Sequence, residues 1–306
     1  MSKIVKKRVD TVLVNLNDDL LRFETLLLCD LIKGVSLPCS NGKTLEVSHI
    51  EDYPNYVIGI VITTRQISIP PKRNLTKKTS QSLDIAKDEG LAYGNSFLYD
   101  KRCKFLMYEV NKNGSSITEF THFIKHYCSD STEFGKVIIN LRMVLNIESY
   151  KRFLRMKQIN SFEIEIAQPE RMIAEDDSLE NIAKSAKGSN SDKMLLKLSV
   201  NGNKKEGLFN GFVQKTINAF QKLSFEGNKG SVTKLILHGT EQNPDNEDES
   251  IPSIIDMITD KFITYIEFEE PALSVDVQPF QRKQALKLAY DRNIDDFELI
   301  LSKYEL

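Results

Sequence analysis

Hydrophobic and polar positions change period several times along the chain, and each change predicts an element. Val9, Val12 and Val14 read as a strand over Arg8 to Asn15. Leu20, Phe23, Leu27 and Leu31 then fall at helical spacing, so Asn17 or Asp18 should cap a helix that Gly34 stops near Lys33. Asn41-Gly42 marks a hairpin turn joining residues 35–40 to 44–49. The unbroken apolar run Tyr56 to Thr63 predicts a strand covered on both faces. A polar stretch over 65–82 interrupts the pattern, followed by a short helix, a Gly-bounded turn and a hairpin. That hairpin pairs Phe97–Tyr99 with Lys104–Val110 around Asp100-Lys101-Arg102. Ser115 or Ser116 caps the next helix, whose inner face carries Phe120, Phe123, Ile124 and Tyr127.

The second half mixes periods more closely. A strand over Lys136 to Leu141 precedes a helix over Glu148 to Lys157. Phe162, Ile164 and Ile166 alternate with Glu163 and Glu165, the signature of a strand with one face inside. A helix over 178–186, a linker over 187–191, a strand over 194–200, a turn at 201–203 and a helix over 208–223 follow. Strands are predicted over 232–239 and 263–268. Residues 280–304 read as one or two helices interrupted near Asn293. Strands and helices do not alternate strictly, which favours an α+β fold of mixed sheets with packed helices over a doubly wound sheet. Two sub-domains are expected: an N-terminal α/β domain over 1–170 with a basic loop at 65–82, and a C-terminal α+β domain over 171–306 with an acidic loop at 241–249.

Composition sharpens this reading. The 306 residues are 41% hydrophobic and 27% charged, a globular balance. The opening MSKIVKKRVD lacks the apolar core of a signal peptide, and no run is long enough to span a bilayer, so a cytoplasmic protein is expected. The four cysteines are scattered and should be free thiols. Net charge is −2, but 25 Lys and Arg face 20 Asp and Glu up to residue 171, and 16 face 23 beyond it. Such asymmetry points to a nucleic-acid-facing part in the first half.

The candidate chemistry is mostly electrostatic. Arg65, Lys72, Arg73, Lys77 and Lys78 lie in a stretch with no carboxylate before Asp84, interleaved with Thr76, Thr79, Ser80 and Ser82. Pro70-Pro71 bars a regular helix or a central strand there. Cations and hydroxyls are the groups that contact phosphate oxygens. Lys151, Arg152, Arg155 and Lys157 form a second basic cluster on a helix, and the two clusters could bracket a duplex. Glu163 with Glu165, and Glu267 with Glu269, could hold magnesium in a nuclease, yet the acidic-x-Lys pattern of restriction-type enzymes is missing. His122 and His126 sit four apart with Cys128 beyond, but too few ligands accompany them for a structural zinc site. No P-loop and no nucleophile elbow occurs. No cofactor, metal or catalytic set is expected.

Within Gly59 to Tyr127 stand Ile62-Thr63-Thr64, the basic loop, Ser80-Gln81-Ser82-Leu83, Lys87-Asp88-Glu89-Gly90-Leu91, Asn95-Ser96-Phe97-Leu98-Tyr99 and the helix over 117–124, with the strand over 162–169 further on. On these motifs the chain resembles the RexA-like family of phage-exclusion proteins and, more distantly, KwaB-like defence proteins. The resemblance implies a non-catalytic, sequence-nonspecific binder of double-stranded DNA in abortive infection, acting with a membrane-protein partner encoded nearby. A RexA-like sensor would act as a homodimer, and the stripe Leu286, Ala289, Tyr290, Phe297 and Ile300 is the candidate contact unless it packs on its own sheet. A metal-dependent nuclease and a protein–protein adaptor docking through the acidic half are the alternatives.

Overall fold

The computed structural model describes residues 2–39, 42–129, 131–167, 191–200, 207–208, 231–271 and 276–304. The expected helices over 178–186 and 208–223, the linker and the turn at 201–203 fall wholly or almost wholly outside them. In chain order the elements are β1 (Ser2–Leu16), α1 (Phe23–Leu28), β2 (Ser36–Cys39), β3 (Lys43–Asp52) and β4 (Tyr56–Arg65). Next come β5 (Lys72–Arg73), β6 (Ser80–Gln81), β7 (Leu91–Asp100), β8 (Phe105–Glu109) and α2 (Ile117–Cys128). Then follow β9 (Ile139–Met143), α3 (Ile147–Arg155), β10 (Met156–Ala167), β11 (Lys193–Ser199) and β12 (Ser231–Asn243). The chain closes with β13 (Asn246–Asp256), β14 (Ile263–Pro271) and α4 (Pro279–Tyr304). The architecture is α+β. One sheet runs β14-β1-β8-β7-β4-β3-β2 with β9 also paired to β1, a second runs β11-β10-β12-β13, and β5-β6 form a small ribbon.

The chain divides into two compact units that interleave in sequence. Unit 1 comprises Met1–Asp10, Leu16–Ile139 and Thr264–Asp295, and unit 2 comprises Thr11–Asn15, Asn140–Ile263 and Asp296–Leu306. The contiguous halves 1–170 and 171–306 do not coincide with these units. Strand pairing is the reason, because the late strand β14 joins β1 at the start of the chain.

In unit 1, β4 is covered on both faces as its apolar run predicts, with Val57, Ile58, Ile60 and Val61 buried between β3 and β7. Gly42 adopts a left-handed φ of 63° at the predicted hairpin turn, a conformation that favours glycine. Ser116 caps α2: its hydroxyl accepts the Glu119 N–H while the Glu119 carboxylate accepts the Ser116 N–H, a complete capping box. Phe120, Phe123 and Ile124 are buried beneath it.

Three expectations are corrected. The helix expected from residue 17 starts only at Phe23, because the Asp18 carboxylate and carbonyl turn the chain by accepting the N–H groups of Leu20 and Leu21. Leu20 is consequently 91% exposed. The short helix expected after the basic stretch does not form: the Glu89 carboxylate accepts the Ala86 N–H and closes a turn there instead. And α4 is one uninterrupted helix, for the Asn293 amide donates to the Ala289 carbonyl one turn earlier. Its stripe Leu286, Ala289 and Tyr290 in unit 1, with Phe297 and Ile300 in unit 2, is buried within this chain and so is not available as a dimer contact.

A polar cluster lies inside unit 1. Glu109 on β8 is fully buried and forms an ion pair with the buried Arg282 of α4. Its other carboxylate oxygen accepts the N–H and hydroxyl of Ser96 at 3.0 Å each. Arg282 also donates to the Val277 carbonyl at 2.7 Å and lies 4.8 Å from the Phe268 ring centre. The buried Asn95 amide donates to the Glu109 and Ser115 carbonyls. Each buried charge thus has hydrogen-bonded partners, as burial requires.

Unit 2 is built on β10. Phe162, Ile164 and Ile166 are buried and Glu163 and Glu165 take the other face, as the alternation predicts. β11 and β12 pair antiparallel on either side of β10. The expected acidic loop is a β-hairpin: β12 pairs with β13 from Ile236↔Asp256 to Asn243↔Asn246, turning at Pro244-Asp245. Antiparallel pairing satisfies the backbone, so the acidic stretch is ordered despite its composition. No helix among the described residues is long and apolar enough to cross a membrane.

Candidate nucleic-acid interface

The basic stretch of unit 1 leaves the main sheet as an arm. β4 and β7 pair as far as Arg65↔Leu91, and residues 66–90 form the excursion between them. Pro70-Pro71 lead into the ribbon, where Lys72 pairs with Gln81 and Arg73 with Ser80. Asn74 organises the tip. Its N–H donates to the Thr79 carbonyl at 2.8 Å, and its side-chain oxygen accepts the N–H groups of Thr76 at 3.0 Å and Lys77 at 2.8 Å. Asn in this role closes a tight local turn. Lys78 takes a left-handed φ of 55° to complete it.

Every residue over 70–82 is exposed. Among the described residues, Arg73, Lys77 and Lys78 have no carboxylate within ion-pair distance. Lys72 has one at 3.9 Å, Asp84, itself almost wholly exposed. Such a pair contributes little and leaves Lys72 available to an external anion. Arg65 stands apart from these four: it is half-buried at the arm's root, its guanidinium 5.9 Å from the Tyr93 ring centre. The arm therefore concentrates uncompensated positive charge at Lys72, Arg73, Lys77 and Lys78 in a chain of net charge −2.

The second cluster is organised differently. In unit 2, Lys151 lies 3.4 Å from Glu148 on the same helix. Arg152 donates to the Ile254 carbonyl at 3.0 Å and the Ser149 hydroxyl at 2.8 Å, and lies 3.6 Å from Asp260. Arg155 pairs at 3.2 Å with Glu241, which is 4% exposed. These arginines fasten α3 to the β12–β13 hairpin and its following turn, so their charge is matched from inside the unit. Ile254 and Glu241 stand 102 and 86 positions away in sequence, beyond the reach of local pattern reading.

Of the two carboxylate pairs, the one on β10 is already occupied. Glu163 bonds Lys197 at 2.6 Å and Lys234 at 2.8 Å, and Glu165 bonds Lys193 at 3.1 Å and the Thr233 hydroxyl at 2.8 Å. A divalent ion at Glu163 would have to displace two ammonium groups. Glu267 is 3.7 Å from Lys6, both exposed, and Glu269 lies two residues on along β14. His122 and His126 are exposed with ring centres 6.4 Å apart. Cys128 turns away from them into the core, its sulfur 3.5 Å from that of Cys29. Among the described residues, no group of three or more His, Cys, Asp or Glu is placed to hold a metal.

The Glu163 pairing has a measurable consequence. Hydrogen bonds from Lys197 and then Lys234 draw its carboxylate from the ordinary 4.5 down to about 2. The folded value lies below the unfolded one, so the stabilisation is complete above about pH 4.5 and is lost as pH falls towards 2. Glu163→Gln should flatten the acid limb of the stability curve over that window, with little pH dependence added above it. Circular dichroism during acid titration is the check, and an unchanged acid midpoint would contradict the assignment.

Comparison with curated proteins returns no match. Residues 45–276, which include the arm, α3 and the whole β10–β13 sheet, match one family along most of the chain, and the protein belongs to that family of unknown function, DUF6731.

Proposed function

We propose that this protein is a non-catalytic, sequence-nonspecific binder of double-stranded DNA, acting in the cytoplasm in anti-phage defence. The observation that carries the binding part is the arm: four exposed cations on an ordered ribbon, with no carboxylate among the described residues close to Arg73, Lys77 or Lys78. Phosphate contacts from such groups position a protein on a duplex without reading sequence. The defence setting, the membrane-protein partner and the homodimer rest on the resemblance to RexA-like proteins. Two copies would set two arms on one duplex and raise avidity through effective concentration. With the α4 stripe buried in its own chain, such a dimer uses another surface.

A salt titration of duplex binding, followed by fluorescence anisotropy, tests the reading. Affinity should fall steeply with salt, since released counterions drive binding, and should vary little between scrambled sequences. A tenfold preference for one sequence over its scramble would refute nonspecific readout. Cleavage of plasmid in magnesium or manganese would overturn the non-catalytic part. Sedimentation at micromolar protein, free and on a long duplex, tests the dimer: a strict monomer in both would end it.

A further inference from the structure

The tip of the arm carries a residue that phosphate binding does not use. Leu75 is 86% exposed and, following Asn74, opens the turn over 75–77. The turn around it is ordered by three hydrogen bonds from or to Asn74, so Leu75 is presented rather than left over in a loose loop. Arg73 precedes it by two positions, and Lys77 and Lys78 follow within three. A single exposed leucine is ordinary at a protein surface; what sets this one apart is its place on an ordered turn between cations, with no described residue covering it.

The chemistry around Leu75 narrows what can cover it. The excursion over 66–90 contains no Phe, Tyr or Trp, so it has no platform on which unpaired bases could stack. The side-chain oxygen of Asn74 is engaged by two backbone N–H groups, which removes the apical amide from bidentate reading of adenine. What remains is an apolar wedge flanked by phosphate-seeking cations. Proteins that bend DNA through the minor groove combine these two parts: an apolar side chain enters between base steps, unstacks them and kinks the duplex, while cations grip the backbone on either side.

Building on the duplex-binding reading above, we infer that the arm is a DNA-bending device in which Leu75 wedges between base pairs from the minor groove. Recognition is then of deformability. The kink costs least at flexible pyrimidine–purine steps, at nicks and at mismatches, so these sites are preferred without any base being read.

The experiment uses the full chain and one short duplex labelled at both ends, read for anisotropy and for energy transfer on the same sample. The wild type should bind and bring the ends closer, by a bend within about 20–90°. Leu75→Ala should bind within about tenfold of the wild type, because the phosphate contacts remain, yet leave energy transfer at the value of free DNA. Leu75→Phe, which keeps a wedge, should retain the bend. A centrally nicked duplex should be favoured several-fold by the wild type and not by Leu75→Ala. Since Leu75 is exposed, these replacements leave the core intact. Binding of the wild type without a change in energy transfer would overturn the wedge while leaving DNA binding standing. Failure to bind any duplex would remove the parent reading, and the wedge with it. Leu75-dependent sedimentation with phosphatidylserine vesicles, and no bending, would assign the tip to a membrane surface and refute this inference.

Discussion

Reversing Lys77 and Lys78 together to glutamate will weaken duplex binding on the order of 50-fold at about 0.1 M salt. The figure follows from counterion release: each phosphate neutralised contributes about 0.9 to the slope of log affinity against log salt, so leaving two phosphates unneutralised removes roughly 1.8. A shallower salt slope is therefore the sharper readout, because it reports how many phosphates the protein still neutralises. Both lysines are exposed on a ribbon whose order comes from backbone pairing and Asn74, so stability should stay within about 0.5 kcal/mol of the wild type. Lys151→Glu provides the contrast, since Lys151 lies on α3 of unit 2, outside the arm. It should leave the salt slope of the wild type in place. An unchanged affinity in the Lys77/Lys78 double variant, with an unchanged melting curve, would take the arm out of the binding site.

Arg282→Ala will be the most destabilising of these substitutions, by about 3–5 kcal/mol. Removing the guanidinium leaves the Glu109 carboxylate fully buried, with Ser96 alone among the described residues to satisfy it. It also strips the Val277 carbonyl of its donor and Phe268 of its cation. A domain of ordinary stability has only about 5–15 kcal/mol in total, so the loss would be visible in any unfolding curve. Replacing both members, Glu109→Gln with Arg282→Met, should recover much of it: the neutral amide can still hydrogen-bond Ser96, and the methionine fills the volume without a charge. Urea unfolding of the single and double variants checks this. If Arg282→Ala costs less than the double replacement, the pair is not the interaction that matters in this cluster.

Sequence alone determined the elements whose cause is local. The apolar run of β4, the alternation of β10, the glycine turn before β3 and the Ser116–Glu119 cap of α2 each depend on residues within a few positions of one another, and each forms where the pattern places it. The arm's chemistry is local too, for Pro70-Pro71, the cations and the missing carboxylates are all contiguous. Its Asn74-centred turn and the exposed Leu75 were not legible, since both depend on how the two short strands of the ribbon pair.

Tertiary structure decided whatever required a distant partner. Arg152 and Arg155 look like a free basic face until β13, its following turn and β12 bring Ile254, Asp260 and Glu241 to them. The acidic stretch looks like a solvated loop until pairing of β12 with β13 satisfies its backbone. The stripe on α4 looks like an interface until its own chain covers it. Glu109 and Arg282 lie 173 positions apart, and nothing near either in sequence announces the other. Charge and hydrophobicity are properties of a residue, but their compensation is a property of its surroundings, and distant surroundings are set by packing and strand pairing rather than by neighbours along the chain.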